Sequence, residues 1–142
     1  MKAKWIAAML LMGVAVLFAR ERSWMSKVPA AERNQVNPYA GDTHAAAAGK
    51  ILFAEHCAQC HGADAQGRRG PSLRSARIEH ATDGELAWIL KNGSVRKGMP
   101  SWNRLPEPER WQIIAYLRSL PAGGAAGHAR GETSGARQTN AQ

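Results

Sequence analysis

The chain has 142 residues and a formal net charge of +8, which is enough for one domain with appendages. The basic excess is dispersed: six Lys and Arg stand against three acids before Ala45, eleven against seven from Ala45 to Pro121, and two against one beyond. With no run of Lys or Arg interleaved with aromatics, the composition excludes a nucleic-acid-binding class.

In chain order, Met1-Lys2-Ala3-Lys4 precedes fifteen apolar residues from Trp5 to Ala19 and then Arg20-Glu21-Arg22. Such a pattern leaves the lysines in the cytoplasm and delivers the chain beyond Arg20 across the cytoplasmic membrane, to its periplasmic side in a bacterium. As a helix the run reaches about 22 Å against a hydrocarbon core of about 30 Å. No small-x-small cleavage site accompanies it, so residues 1–22 are expected to be a signal peptide or, in preference, a retained membrane anchor. Residues 23–44 are polar, punctuated by Pro29 and Pro38, and read as a linker. Residues 45–121 form the folded domain. The tail, 122–142, has too few large apolar residues to offset its ordering entropy and is expected to be disordered.

Within the domain, Asp42-Thr43 supplies N-cap residue types, and the spacing Ala48, Ile51, Leu52 predicts a helix running into the cysteine pair. Gly62 to Ala81 holds Gly62, Gly67, Gly70 and Pro71 and reads as a long loop. Thr82-Asp83-Gly84-Glu85 is a capping box, predicting a short helix with Leu86, Ile89 and Leu90 on its core side and a stop at Asn92-Gly93. Trp88 is assigned to the core. A second loop carries Gly98-Met99-Pro100 and Trp102. The last helix starts near Pro106 to Glu109, buries Trp111, Ile113, Ile114, Leu117 and Leu120, and ends at Pro121. No segment alternates with period two, so the fold class is all-α with long loops.

Cys57-Ala58-Gln59-Cys60-His61 has the C-x-x-C-H spacing of covalent haem attachment. On one helical turn both thiols can reach the vinyl groups along one porphyrin edge, and the next residue offers an imidazole to the iron. Three other chemistries fit the pattern less well. A structural zinc needs four ligands, and these are the only cysteines. A thioredoxin-type dithiol needs a strand-to-helix junction, and no strand pattern is present. A plain disulfide would close a loop too short to stabilise much.

The sixth iron ligand decides what the haem does. Of the methionines at 1, 9, 12, 25 and 99, only Met99 falls in the domain, in a Gly-Met-Pro loop that suits an axial thioether better than core filler. His80 is the main competitor, with His56, His44 and His128 behind it.

With these motifs in view, residues 45–121 resemble a small class I cytochrome c domain of the monohaem bacterial type. The resemblance implies three to four helices with long loops wrapped around one covalently bound haem c. It implies thioethers from Cys57 and Cys60 and iron ligation by His61 and Met99. Gly49 and Phe53 resemble the family's first-helix contacts with its last helix, here Trp111, Tyr116 and Leu117. Pro71 resembles the proline whose carbonyl accepts the second N–H of the axial histidine. Where the family often has a Ser or Thr cap, this chain has Pro106.

Trp102 is expected to line the haem pocket. Arg68, Arg69, Arg96 and Lys97 are expected to form a basic rim on the exposed haem edge for redox protein donors and acceptors. The expected function is that of a one-electron carrier in a respiratory or periplasmic electron-transfer chain, and not of an enzyme. Alternatives are a haem subunit or electron-entry module of a membrane dehydrogenase or oxidase, and a haem sensor with a displaceable sixth ligand.

Overall fold

The computed structural model describes residues 24–121 together with Gly123, so the expected signal peptide or anchor at 1–22 and almost all of the tail expected to be disordered, with His128, lie outside the described residues. The elements are a 3-10 turn at Met25–Lys27, then α1 (Ala30–Arg33), α2 (Thr43–His56), α3 (Ala58–His61), α4 (Ala76–His80) and α5 (Asp83–Asn92). A second 3-10 turn at Val95–Lys97 precedes α6 (Glu107–Ser119). Among the described residues no helix is long and apolar enough to cross a membrane, and β pairing is confined to an isolated bridge between Ser94 and Met99.

Asp42 caps α2 by accepting from the backbone N–H groups of His44 and Ala45 at 2.8 and 3.0 Å, which relieves the unpaired donors of a helix start. The face that α2 buries is Ala45, Gly49 and Phe53, one residue per helical turn. Ile51, expected on that face, is 69% exposed. The reason is the partner: α2 packs most extensively on α6, and a Cβ added at Gly49 would lie 1.9 Å from the Gln112 carbonyl oxygen. A crossing that close selects the face with the glycine, not the face with the bulkiest side chain.

Two apolar clusters result. One gathers Ala81, Leu86, Leu90, Trp111, Ile113 and Ile114, with Met99 and Trp102 packed against it. The other gathers Phe53, Cys57, Ala65 and Tyr116, with the Phe53 and Tyr116 ring centroids 5.3 Å apart. Leu117 of α6 borders both.

The capping box forms as predicted, with Glu85 N–H donating to Thr82 Oγ1 at 3.1 Å and Thr82 N–H to Glu85 Oε2 at 2.9 Å. The loop after His61 is not wholly irregular, since it contains α4. Arg118 of α6 holds the end of that helix by donating to the carbonyls of Ile78 and Glu79 at 3.0 and 3.2 Å and pairing with Asp83 at 2.8 Å. A cation on the last carbonyls of a short helix supplies the partners it lacks internally.

The expected linker, 23–44, differs most from its sequence-based expectation: its described part is docked on the domain. Val28 is buried, and Asn37, 2% exposed, donates from Nδ2 to the Trp111 carbonyl at 3.0 Å. Arg33 Nε lies 3.1 Å from the buried Glu85 carboxylate, and Thr82 Oγ1 donates to the Arg33 carbonyl at 2.8 Å. A polar segment can pack in this way when its polar groups find buried partners.

Candidate functional site

Helix α2 is capped at its end by Cys57, whose N–H donates to the Phe53 carbonyl at 2.8 Å and whose backbone (φ −116°, ψ −35°) stays in the right-handed helical region. The chain turns once more through α3, closed by His61 N–H on the Cys57 carbonyl at 3.0 Å. One turn therefore presents Cys57, Cys60 and His61 from a single rigid support. Both cysteines are free thiols. Burial, reinforced by the neighbouring Cys60, pushes the Cys57 thiol up to about 11. Burial therefore keeps the Cys57 sulfur neutral over the physiological pH range.

His61 is 9% exposed, and its Nδ1 lies 2.8 Å from the Pro71 carbonyl oxygen. A carbonyl only accepts, so Nδ1 carries a proton, and Nε2 is the ring nitrogen left for a metal. The loop supports this pose from behind. Gly70 N–H donates to the Cys60 carbonyl and Gly67 N–H to the His61 carbonyl, both at 2.7 Å. A Cβ at Gly70 would come within 2.9 Å of the imidazole Cε1, so glycine is what lets the backbone reach the ring.

Met99 is half-buried against the Leu86 and Leu90 cluster. Its backbone is held at both ends: its N–H donates to the Ser94 carbonyl at 3.2 Å, and its carbonyl accepts from Ser94 N–H at 2.9 Å. Gly98 makes the return in the left-handed region, φ +83°, which glycine adopts without a Cβ clash. Farther on, Ser101 Oγ donates to the Lys91 carbonyl at 2.6 Å and Trp102 N–H to the Leu90 carbonyl at 2.9 Å, fastening the loop to the end of α5.

The two thiols, the imidazole and the thioether thus arise from two separately packed halves of the domain, Cys57 from one apolar cluster and Met99 from the other. Two attachment sulfurs, an imidazole held through Nδ1 and a thioether packed on a separate apolar cluster are a donor set that fits haem c. His80 is exposed at the end of α4, and His44 is exposed in the first turn of α2. His56 turns its ring to Trp102, with centroids 5.2 Å apart. That contact went unanticipated in the sequence, where the only cue is that His56 immediately precedes Cys57. Trp102 itself is half-buried against the Met99 cluster.

Arg68, Arg69, Arg96 and Lys97 are all exposed. Arg69 Nη2 lies 3.8 Å from Cys60 Sγ, which puts that guanidinium beside the attachment turn. Val95, next to Arg96 and Lys97, is 74% exposed.

Residues 44–117 match the protein family described as cytochrome c oxidase, cbb3-type, subunit III. The chain is 39% identical over 85 residues to the cbb3-type cytochrome c oxidase subunit FixP of Sinorhizobium medicae, an alignment covering 56% of this chain and 29% of that protein. It is 38% identical over 84 residues to subunit CcoP of Rubrivivax gelatinosus, covering 57% of this chain and 28% of the relative. The chain therefore spans under a third of the length of these relatives. Among solved structures, cytochrome cL of Methylophaga aminisulfidivorans superposes with a TM-score of 0.54 at 34% identity, covering 59% of this chain and 58% of that one. Cytochrome cL of Hyphomicrobium denitrificans superposes at 0.53 with 22% identity, covering 67% and 64%, a likeness of fold.

Proposed function

Because this chain belongs to the family of cbb3-type cytochrome c oxidase subunit III, its folded part being a class I cytochrome c domain, we propose that it carries one haem c and works as a one-electron carrier. When bound, the haem supplies a metal that alternates between ferrous and ferric states. The protein's part is to hold that metal in one geometry. Cys57 and Cys60 would hold the porphyrin through thioethers, and His61 Nε2 and the Met99 sulfur would be the residues offered to the iron. The Pro71 carbonyl keeps the imidazole from rotating and makes Nε2 more electron-rich. A thioether from Met99 would favour the reduced state and would occupy the position that a small ligand otherwise takes.

The observation that carries this reading is the 2.8 Å hydrogen bond from Nδ1 of His61, the residue after Cys60, to the Pro71 carbonyl, on a turn that also carries two unbridged thiols. It is tested on the protein expressed with its export segment in a host that attaches haem. Extraction with acidified acetone should leave the colour on the polypeptide, and the pyridine spectrum in alkali should be of the c type. Haem that extracts freely would overturn the assignment of Cys57 and Cys60.

The relatives' description as oxidase subunits supports a second, narrower reading: the domain, proposed at 45–121, is the electron-entry module of a membrane oxidase, on the periplasmic side. The N-terminal segment would hold it there. Docking would use the cations that flank both ligand segments, Arg68 and Arg69 after His61, and Arg96 and Lys97 before Met99. The paired reversal Arg96→Glu with Lys97→Glu should slow electron transfer with an acidic redox protein by about tenfold or more at low salt, since steering contributes on that scale. Stopped-flow at two ionic strengths checks this, and the gap should close at high salt, where screening removes steering.

A further inference from the structure

The loop that carries Met99 is fastened to its own half of the domain by Ser101 on Lys91, Trp102 N–H on Leu90, and Pro100 packed against Gly93. One contact runs the other way. His56 is the last residue of α2, directly before the attachment turn, and its ring meets the Trp102 ring at a centroid distance of 5.2 Å and a tilt of 48°. Both side chains are half-buried. The other partner of His56, Glu55, is 3.8 Å away with 66% of its side chain exposed, too loose and too wet to orient it. The aromatic face is what sets the position of the imidazole.

We infer that His56 and Trp102 form a positioning pair that latches the Met99 loop to the end of α2, so that the sixth-ligand sulfur stays at the iron. The inference rests on the axial reading of His61 and Met99 given above. The pair touches neither ligand. It acts by joining the segment that delivers His61 to the segment that delivers Met99, in addition to the packing that the two clusters share through Leu117 of α6 and the packing of Leu52 of α2 on the Met99 cluster. Opening the loop breaks the ring contact and the iron–sulfur bond together, so the contact adds to the cost of losing the ligand. Tilted ring pairs of this kind change an equilibrium by a factor of about two to ten.

The test compares wild-type holoprotein with His56→Ala and His56→Phe. Three properties are read: the red charge-transfer band that a sulfur ligand gives to ferric iron, followed with rising pH; carbon monoxide binding by the reduced form; and thermal unfolding. In His56→Ala the band should vanish about half to one pH unit earlier, and carbon monoxide should bind about three- to tenfold faster, as loop opening becomes that much more favourable. His56→Phe, which keeps a ring, should track the wild type. If His56→Ala fails to accumulate haem, His56→Gln takes its place. A lowered unfolding temperature with an unmoved band and unchanged carbon monoxide binding would make the contact merely structural and overturn the inference. So would a phenylalanine variant that behaves like alanine. A wild-type protein without the sulfur band would instead overturn the axial reading, and the latch with it.

Discussion

Replacing Gly49 by alanine should cost the domain about 3 kcal/mol or more, lowering its unfolding temperature by roughly 12–24 °C. Two effects oppose each other at this position. Gly49 sits in the interior of α2, where alanine is the better helix former by about 1 kcal/mol. Against that, the new Cβ would lie 1.9 Å from the Gln112 carbonyl oxygen and 2.4 Å from its carbon. Both atoms belong to the backbone of α6 and cannot rotate away, so the helices must part, and with them the pairing that supports Phe53, Tyr116 and the Cys57 turn. Steric exclusion wins.

Two other glycines serve as internal controls. At Gly98, φ is +83° and nothing lies within 4 Å of an added Cβ, so alanine there should show only the conformational penalty, about 1 kcal/mol. At Gly84 the added atom would lie 1.9 Å from the Glu32 carbonyl. That carbonyl belongs to the docked N-terminal segment, which can shift as a unit, so the loss should fall between the other two. Thermal unfolding of the three holoproteins, followed by circular dichroism, gives the order. A Gly49→Ala protein as stable as wild type would show that α2 and α6 do not cross in this register.

What could be read in the sequence was local. The capping box at Thr82, the acids and Pro108 in the first turn of α6, and the cysteine spacing each place their own partners within a few residues. The N-terminal segment has the opposite character. Asn37 meets Trp111 and Arg33 meets Glu85, contacts far apart along the chain that no local pattern announces, so a docked segment looked like a tether. Burial on α2 was obscured for a related reason. Apolar spacing favours Ile51, whereas the close approach of α6 favours Gly49, and a hydropathy pattern gives a glycine no weight. Resemblance to the cytochrome family found Gly49 where periodicity did not. His56 was hidden differently: its partner Trp102 lies on a loop whose path depends on Gly93 and Gly98, both at positive φ.

Met99→Ala should turn a reduced protein that takes up carbon monoxide only slowly, through rare loop opening, into one that binds it fully and at once, with the ferric sulfur band abolished and the reduction potential lowered. The ferrous state favours a thioether, so removing the sulfur destabilises the reduced form more than the oxidised one. The variant should still fold. The loop backbone is anchored by Ser94 on both polar groups of residue 99, by Pro100 against Gly93, and by Trp102 N–H on Leu90, none of which uses the methionine side chain. Since Met99 is only half-buried, the packing loss should stay below the roughly 2–5 kcal/mol typical of truncating a core methionine. His80→Ala is the companion variant. Its side chain is exposed at the end of α4, and it should leave the spectra and carbon monoxide binding unchanged. If His80→Ala opens the iron and Met99→Ala does not, the sixth ligand is the histidine. If the wild type already binds carbon monoxide in full, the sixth position is displaceable, and the domain senses a small ligand instead of passing electrons. The His61 side of the site would be the same in every case, because the Pro71 carbonyl and the attachment turn fix it without reference to what stands opposite.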